Sequence, residues 1–242
     1  MIDSHCHLDC CSDIDNIVKN FDGIIITSGY DDKSNLKVLE LVDKYPNVYG
    51  TLGIHPEEAS TSYDLDIIIN GLNNSKIIGI GEIGLDYHYT NENKDDQIKL
   101  FKLQLDIASK YKLPVVIHSR DAIMDTYNIL SSYKLTGILH CFSSSLEMAK
   151  KFINLGYKIG IGGVVTFKNG KKLREVVEGI SLSNILTETD SPYLSPEPFR
   201  GKENNSCNIK YILNEIINIK NCSLEEALDT LEKNCKNTFN IK

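Results

Sequence analysis

The residues best suited to chemistry stand at the start of the chain. His5-Cys6-His7 closes a short run that turns from apolar to polar. On a strand, residues i and i+2 project from one face, so the two imidazoles aim at one point. That spacing can hold a metal ion, but it also occurs as two ordinary polar residues on a strand, and an isolated H-x-H does not separate the two. Recurrence elsewhere does. Glu82, His118, His140 and Asp190 each fall at or next to the end of a short apolar run, over 77–83, 114–118, 136–141 and 184–189. Any one of them has a plain explanation as a helix cap or a histidine bonded to a carbonyl; six at matching positions point to one site. Four imidazoles and two carboxylates exceed what one tetrahedral ion uses, and Glu82 can bridge two ions, so the expectation is a pair of divalent cations. Mixed nitrogen and oxygen donors suit Zn, Mn or Fe, and Mg where water completes the shell.

The elements that must position these groups alternate along the chain. After the first strand, helical spacing covers 13–21, 34–45, 65–72, 94–111, 122–130, 146–155 and 171–177. Between them lie buried-strand runs at 24–27, 48–54, 77–83, 114–118, 136–141, 157–161 and 184–189. On the longest helix Ile98, Phe101, Leu105 and Ala108 share one face. Eight short, mostly apolar strands alternating with helices predict an α/β protein of the (β/α)8 barrel type, one domain over 1–242, with helices at 209–219 and 224–239 closing the end. A doubly wound open sheet is the rival architecture. In a barrel the strand ends share one mouth, so the six residues meet there. Strand parity turns Cys6 and Cys141 toward the helix layer as packed thiols. It turns Glu188 inward one step below Asp190, either supporting a ligand or paired with a buried Lys or Arg.

Composition narrows the function. A formal net charge of -7 argues against a general basic field that coats nucleic acid or anionic membrane, while leaving room for a local basic rim. With 41% hydrophobic residues in 242, the chain has ample material for a core. Seven cysteines without a C-x-x-C pair resemble reduced thiols and point to the cytoplasm, and the start of the chain lacks the pattern of a signal peptide. No apolar run approaches the ~20 residues that span a bilayer. No obligatory protein partner is evident.

The segments "DSHCHLD", "GIHPE", "GEIGLDY", "LPVVIHSRDA", "LHCFSSS", "TETDSPYL" and "RGKEN" occur in order from Asp3 to Asn204. They resemble the successive signatures of the TatD family of metal-dependent deoxyribonucleases, within the amidohydrolase-like barrels. The resemblance implies a TIM-type barrel that hydrolyses DNA phosphodiesters, in some members as a 3′ to 5′ exonuclease, with His5, His7, Glu82, His118, His140 and Asp190 as metal ligands. Two departures stand out. Glu203-Asn204-Asn205-Ser206 replaces the usual Arg-Asn-Glu-Pro after Gly-Lys, which puts that loop's contacts in question, and His88 replaces a more typical aromatic.

A metal-activated water attacking a phosphodiester needs a group to orient it or take its proton, for which Asp190 is the candidate with Glu82 beside it. Arg120, Arg200 and Lys202 are the candidate phosphate contacts, since Arg holds phosphate oxygens bidentately. His55 is a candidate donor and Tyr87 a candidate base-stacking residue. The cluster of Lys168, Lys171, Lys172 and Arg174 reads as a solvated helix face. The acidic total favours strand ends or single strands of DNA over tightly gripped duplex. Two other functions fit the residues. One is an amidohydrolase-like enzyme acting on a small ester or amide, or on aminoacyl-tRNA, although many such barrels use a carbamylated lysine where Glu82 stands. The other is a metal-binding protein without catalysis.

Overall fold

The computed structural model describes residues 1–90 and 92–241. Strand and helix alternate through β1 (Ile2–Cys6), α1 (Ile14–Asn20), β2 (Ile24–Ser28), α2 (Asp32–Lys44), β3 (Val48–Leu52), α3 (Leu65–Gly71), β4 (Ile77–Asp86) and α4 (Lys94–Tyr111). They continue through β5 (Val115–Arg120), α5 (Ile123–Leu130), β6 (Gly137–Leu139), α6 (Leu146–Asn154), β7 (Tyr157–Ile161), α7 (Lys171–Gly179) and β8 (Ile185–Thr187) to α8 (Ile209–Lys220) and α9 (Leu224–Phe239). All eight strands are parallel and neighbour one another in sequence order. This is the (β/α)8 barrel that the alternation predicts, rather than an open doubly wound sheet whose strand order reverses.

The seam between β8 and β1 is closed by bonds that also fix the site. Thr187 Oγ1 donates to the Ile2 carbonyl at 3.2 Å, Asp190 N to the His5 carbonyl at 3.0 Å, and His7 N to the Ser191 carbonyl at 2.7 Å. The first and last contributors to the mouth are thereby stitched directly together.

Two apolar layers flank the strands. Most buried side chains pack between strands and helices, Cys6 among them as parity predicts. A smaller inner cluster of Ile2, Ile26, Ile78, Val116, Ile138 and Leu186 fills the barrel's lower interior, and Cys235, Phe239 and Ile241 from α9 and its end plug it from below. Simple alternation does not run the length of every strand. Ile78 belongs to the inner cluster and Ile80 to the outer one, and the β3–β4 register shifts at that point. A one-residue irregularity of this kind swaps faces, and a second, in the β4–β5 register between Ile80 and Ile83, swaps them back, which returns Glu82 to the interior at the mouth.

Most strand ends differ from the expectation: β2 and β5 run on to Ser28 and Arg120, and β3 stops at Leu52. β4 runs to Asp86 instead of residue 83, while β6 and β8 stop at Leu139 and Thr187, leaving His140 and Asp190 on turns just beyond. Among the described residues no helix is long and apolar enough to cross a membrane.

Phe239 is 2% exposed inside the plug, so truncation to alanine leaves a cavity that the barrel cannot collapse into. We expect Phe239→Ala to cost about 3–5 kcal/mol, read as a fall of roughly 10 °C in thermal midpoint by differential scanning calorimetry. A shift under about 2 °C would show the plug to be dispensable.

Candidate metal centre at the barrel mouth

Glu82 lies at the centre of the polar mouth. It is 3% exposed, and its two oxygens face different histidines. Oε2 lies 3.4 Å from His5 Nε2 and 3.2 Å from His7 Nε2; Oε1 lies 2.7 Å from His140 Nε2 and 2.9 Å from His118 Nδ1. Asp190 Oδ1 completes the first side, 3.5 Å from His5 Nε2 and 3.7 Å from His7 Nε2. Three groups have donor atoms close enough to share an ion: His5, His7 and Asp190; His5, Glu82 and His140; and His55, Glu82 and His118. All six residues expected to converge do so.

The outer ring nitrogens decide how the inner ones behave. His7 Nδ1 lies 3.1 Å from the Ser28 carbonyl and, as donor to it, leaves the Nε2 lone pair facing the cluster. His5 Nδ1 meets Ser28 Oγ at 3.0 Å, and that hydroxyl is 2.8 Å from Thr51 Oγ1. His118 reverses the arrangement: Nε2 donates to Asp86 Oδ2 at 2.9 Å, and Nδ1 points inward. For His7 and His118 the acceptor behind the ring therefore selects the tautomer a metal requires. His5 Nε2 itself is buried with no hydrogen-bond partner, although two carboxylates lie within 3.5 Å. An orphaned nitrogen between two carboxylates fits a cation seat.

The charges agree with this. Burial alone would raise the Glu82 carboxyl, but His140, His118 and His5 around it hold it well below its ordinary value. Burial opposes protonation of His5 and His118, yet their carboxylate neighbours raise both, His118 to about 9. The field that draws a proton to these imidazoles is equally available to a divalent cation.

Buried carboxylates also hold the two turns beyond β6 and β8. Asp190 and Cys141 are both left-handed, at φ 55° and 45°, a region that non-glycine residues occupy only when surroundings hold them there. Asp3 accepts from Thr189 N at 2.9 Å and Thr189 Oγ1 at 2.6 Å, steadying the turn that presents Asp190. Glu188 accepts from Cys141 N, steadying the turn that presents His140. Glu188 is fully buried and, among the described residues, has no Lys or Arg partner. Its other oxygen is unpaired and sits where a Cβ on Gly160 would come within 2.5 Å, so residue 160 must lack a side chain. It supports a ligand through the backbone rather than by bonding a ligand side chain. Burial pushes Glu188 up to about 8 and Asp3 up to about 6.

The other expected residues divide. His55 and Arg120 line the mouth. His55 Nδ1 accepts from Glu57 N at 3.3 Å, so the ring carries its proton on Nε2, 3.6 Å from Glu82 Oε1, and burial lowers its pKa to about 3. Tyr87 does not reach the mouth: β4 stays in register with β5 up to Asp86, the residue before it, its hydroxyl donates to Asp125 at 3.1 Å, and Lys94 covers its ring. Arg200 and Lys202 also lie outside the cavity lining; the Arg200 guanidinium stacks 4.4 Å from the Phe167 ring, and Lys202 is exposed. Cys141 lines the cavity instead of turning away, because the left-handed turn cancels strand parity. Arg174 of the basic cluster spends its guanidinium on the carbonyls of Val165, Phe167 and Lys168. In the departing loop, Glu203 accepts from Ser12 N at 2.8 Å, and Asn204 donates to the carbonyls of Thr189 and Tyr193.

Sequence reading missed Asp86, Ser28 and Tyr89. Asp86 shares parity with Glu82 and would have been found had the fourth strand been extended by three residues. Ser28 ends β2 on the same rim, but nothing in its neighbours marks it. Tyr89 lies in a loop, beyond the reach of periodicity.

A model of the family described as "TatD related DNase" matches residues 2–240. The chain is 35% identical over 253 residues to a Bacillus subtilis protein named "Uncharacterized metal-dependent hydrolase YabD", covering 100% of this chain and 99% of that one. It is 34% identical to "Uncharacterized metal-dependent hydrolase YcfH" of Escherichia coli K12, covering 100% and 96%. The crystal structure of YJJV, a TatD homologue from E. coli K12, superposes with a TM-score of 0.91 at 28% identity, covering 100% and 98%. A hydrolase TatD family protein from Entamoeba histolytica shares the fold, with a TM-score of 0.83 at 23% identity over 99% and 97%. Barrel, rim and relatives together define a metal-dependent hydrolase. Within that class, the chain belongs to the TatD family.

A carboxyl raised by burial loses native stability as pH climbs from its unfolded value near 4.5 to its folded value near 8, because folding must then remove a charge from water. Glu188→Gln has no such charge. Urea unfolding of chelator-treated protein between pH 5 and 8 should therefore show the wild type losing at least about 1 kcal/mol more than Glu188→Gln. Parallel pH profiles would mean that Glu188 is ionised in the fold.

Proposed function

We propose that this chain is a deoxyribonuclease that hydrolyses phosphodiesters at DNA ends, releasing nucleotides in the 3′ to 5′ direction in the cytoplasm. The observation that carries the reading is the division of Glu82, one oxygen toward His5 and His7 and the other toward His118 and His140. A carboxylate shared in this way would help hold a pair of divalent cations, the kind of centre that in-line phosphoryl displacement uses. The family description and the presence of Arg120 beside the cluster add support.

His5, His7, Asp190 and Glu82 Oε2 would hold one divalent cation, and Glu82 Oε1, His118 and His140 the other; Zn, Mn and Mg all match the donor set. When bound, such ions lower the pKa of water toward neutrality and offset the charge of the phosphate. The chain's own residues do the rest. Asp190 orients the attacking water and takes its proton as the new P–O bond forms and the ester P–O bond opposite it breaks, the leaving oxygen taking a proton from solvent water. His55, protonated on Nε2 and neutral, donates to a phosphate oxygen without adding a charge to be desolvated. Arg120, at the end of β5, balances the anion at the rim. Asp86 keeps the His118 ring in one orientation throughout.

Asp190→Asn should preserve the circular dichroism spectrum and lower turnover of end-labelled single-stranded DNA by about 10²-fold or more. Unchanged turnover would remove Asp190 from the mechanism. Running the wild type in parallel on DNA ends, aminoacyl-tRNA and small esters tests the substrate class, and preference for either of the latter two would displace DNA.

Protons and cations compete for the same imidazoles. Because the His5 and His118 values are raised in the cation-free protein, affinity for Mn or Zn should strengthen as pH rises from 6 to 8, with protons released on binding. Isothermal titration in buffers of different ionisation enthalpy measures both quantities. Affinity independent of pH would exclude these histidines as ligands.

A further inference from the structure

The cavity over the metal centre measures about 620 Å³. That is within the ~300–1,000 Å³ of sites that enclose a small molecule, which fits one terminal nucleotide entering and not a duplex lying across the mouth. Its walls are aromatic on two sides. Tyr30 and Tyr193 stand edge-on to His7, with ring centroids at 5.4 and 6.1 Å. Tyr89 also lines the cavity, 72% exposed, with the Arg120 guanidinium 5.0 Å from its ring centroid and Arg120 Nη1 donating to its hydroxyl at 3.3 Å.

We propose that Tyr89, backed by Arg120, is the platform on which the terminal base of the strand stacks, and so sets which ends the enzyme takes. This rests on the phosphodiester reading above.

Three observations support it. Tyr89 is the aromatic that lines the cavity from the β4–α4 loop, whereas Tyr87, two residues earlier, is engaged by Lys94 and Asp125. The platform is tied in register to the metal centre: Gly84 pairs with His118 and Asp86 with Arg120 on the β4–β5 ladder, and Tyr87 N donates to the Arg120 carbonyl at 3.0 Å. Arg120 therefore stands two residues along β5 from His118, about 6.6 Å at the usual strand rise, a step comparable to that from a phosphate to its own base. The loop is also braced from outside, since His88 Nδ1 lies 2.9 Å from Asp121 and the His88 ring packs edge-on to Tyr89 at 4.9 Å.

An aromatic ring with a guanidinium behind it matches a nucleobase for a physical reason. Every base has a π-face, so stacking binds without reading sequence, and the cation strengthens the contact. Tyr89, 72% exposed and backed by the guanidinium, presents a ring in this way, whereas among the described residues no cation stacks on the rings edge-on to His7, and Tyr193 is 54% exposed. A paired end would have to fray before its last base could reach the platform.

The test compares wild type, Tyr89→Ala and Tyr89→Phe as full chains on oligonucleotides that end in a normal nucleotide or an abasic one. Tyr89→Ala should raise KM for the normal end about 5- to 100-fold, as loss of one stacked base predicts, with kcat little changed and KM for the abasic end unmoved. Tyr89→Phe should restore wild-type KM, since the ring and not the hydroxyl carries the contact. A purely structural role for Tyr89 would instead depress both substrates equally, and that result would overturn the proposal, as would an unchanged KM. Binding is read independently with a terminal 2-aminopurine in the presence of chelator. Its fluorescence should be quenched by wild type and Tyr89→Phe but not by Tyr89→Ala, and equal quenching by all three overturns the platform. Quenching without hydrolysis by the wild type would retain the platform and sink the phosphodiester reading instead.

Discussion

The structure depends on keeping one buried carboxylate in balance with the imidazoles around it. Glu82 has four histidine nitrogens within 3.4 Å of its two oxygens and almost no exposure to water. A carboxylate left alone there would carry a desolvation penalty of several kcal/mol. Histidines left alone would lose their protons. Together they form a neutralising cluster whose members cannot be rearranged singly, and a bound cation draws on the same attraction. The polar groups behind the rings extend that balance one layer outward: the Ser28 carbonyl and Asp86 settle where the His7 and His118 protons reside, and the Ser28 hydroxyl, bonded to Thr51, meets His5.

Holding this cluster together requires a closed barrel, because its members come from β1, β4, β5 and the turns after β6 and β8. The seam between β8 and β1 is accordingly the place where fold and site coincide. Asp190 N bonds to the His5 carbonyl and His7 N to the Ser191 carbonyl, so the bonds that close the cylinder also set the spacing of three candidate ligands. Asp3 and Glu188 fill the layer between this polar mouth and the apolar plug supplied by α9. Each uses a costly buried carboxyl to hold a left-handed turn, and the raised values of both show what that burial opposes. Rigidity in the mouth is thus obtained at the expense of stability in the layer beneath it, a common arrangement in preorganised sites.

The rim above is less uniform. One side, built on β4 and β5, carries Arg120 and Tyr89; the other carries Tyr30 and Tyr193 against His7. The loop that departs from the family pattern contributes no charge to the cavity lining, since Arg200 stacks on Phe167 and Glu203 bonds to the backbone of Ser12. Cationic character at the mouth is therefore concentrated in Arg120 and in whatever ions the histidines hold. This accords with a net charge of -7, which offers no general basic field for gripping long polyanions.

The sequence by itself determined the alternation of strand and helix, the barrel class and the convergence of six metal-competent residues. All of these follow from local periodicity, which places a residue at a strand end regardless of what lies across from it. It did not determine where strands stop or which way a residue past the end points. Tyr87 is directed outward because β5 keeps pairing with β4 as far as Asp86, and Cys141 is directed into the mouth because a distant Glu188 holds its backbone left-handed. Nor could it supply the partners of the imidazoles: Ser28 lies on another strand, and Asp86 lies beyond the run that looked like strand. Side-chain tautomers, turn conformations and register shifts are set by contacts between residues far apart in the chain. Only the closed barrel brings those residues within hydrogen-bonding distance.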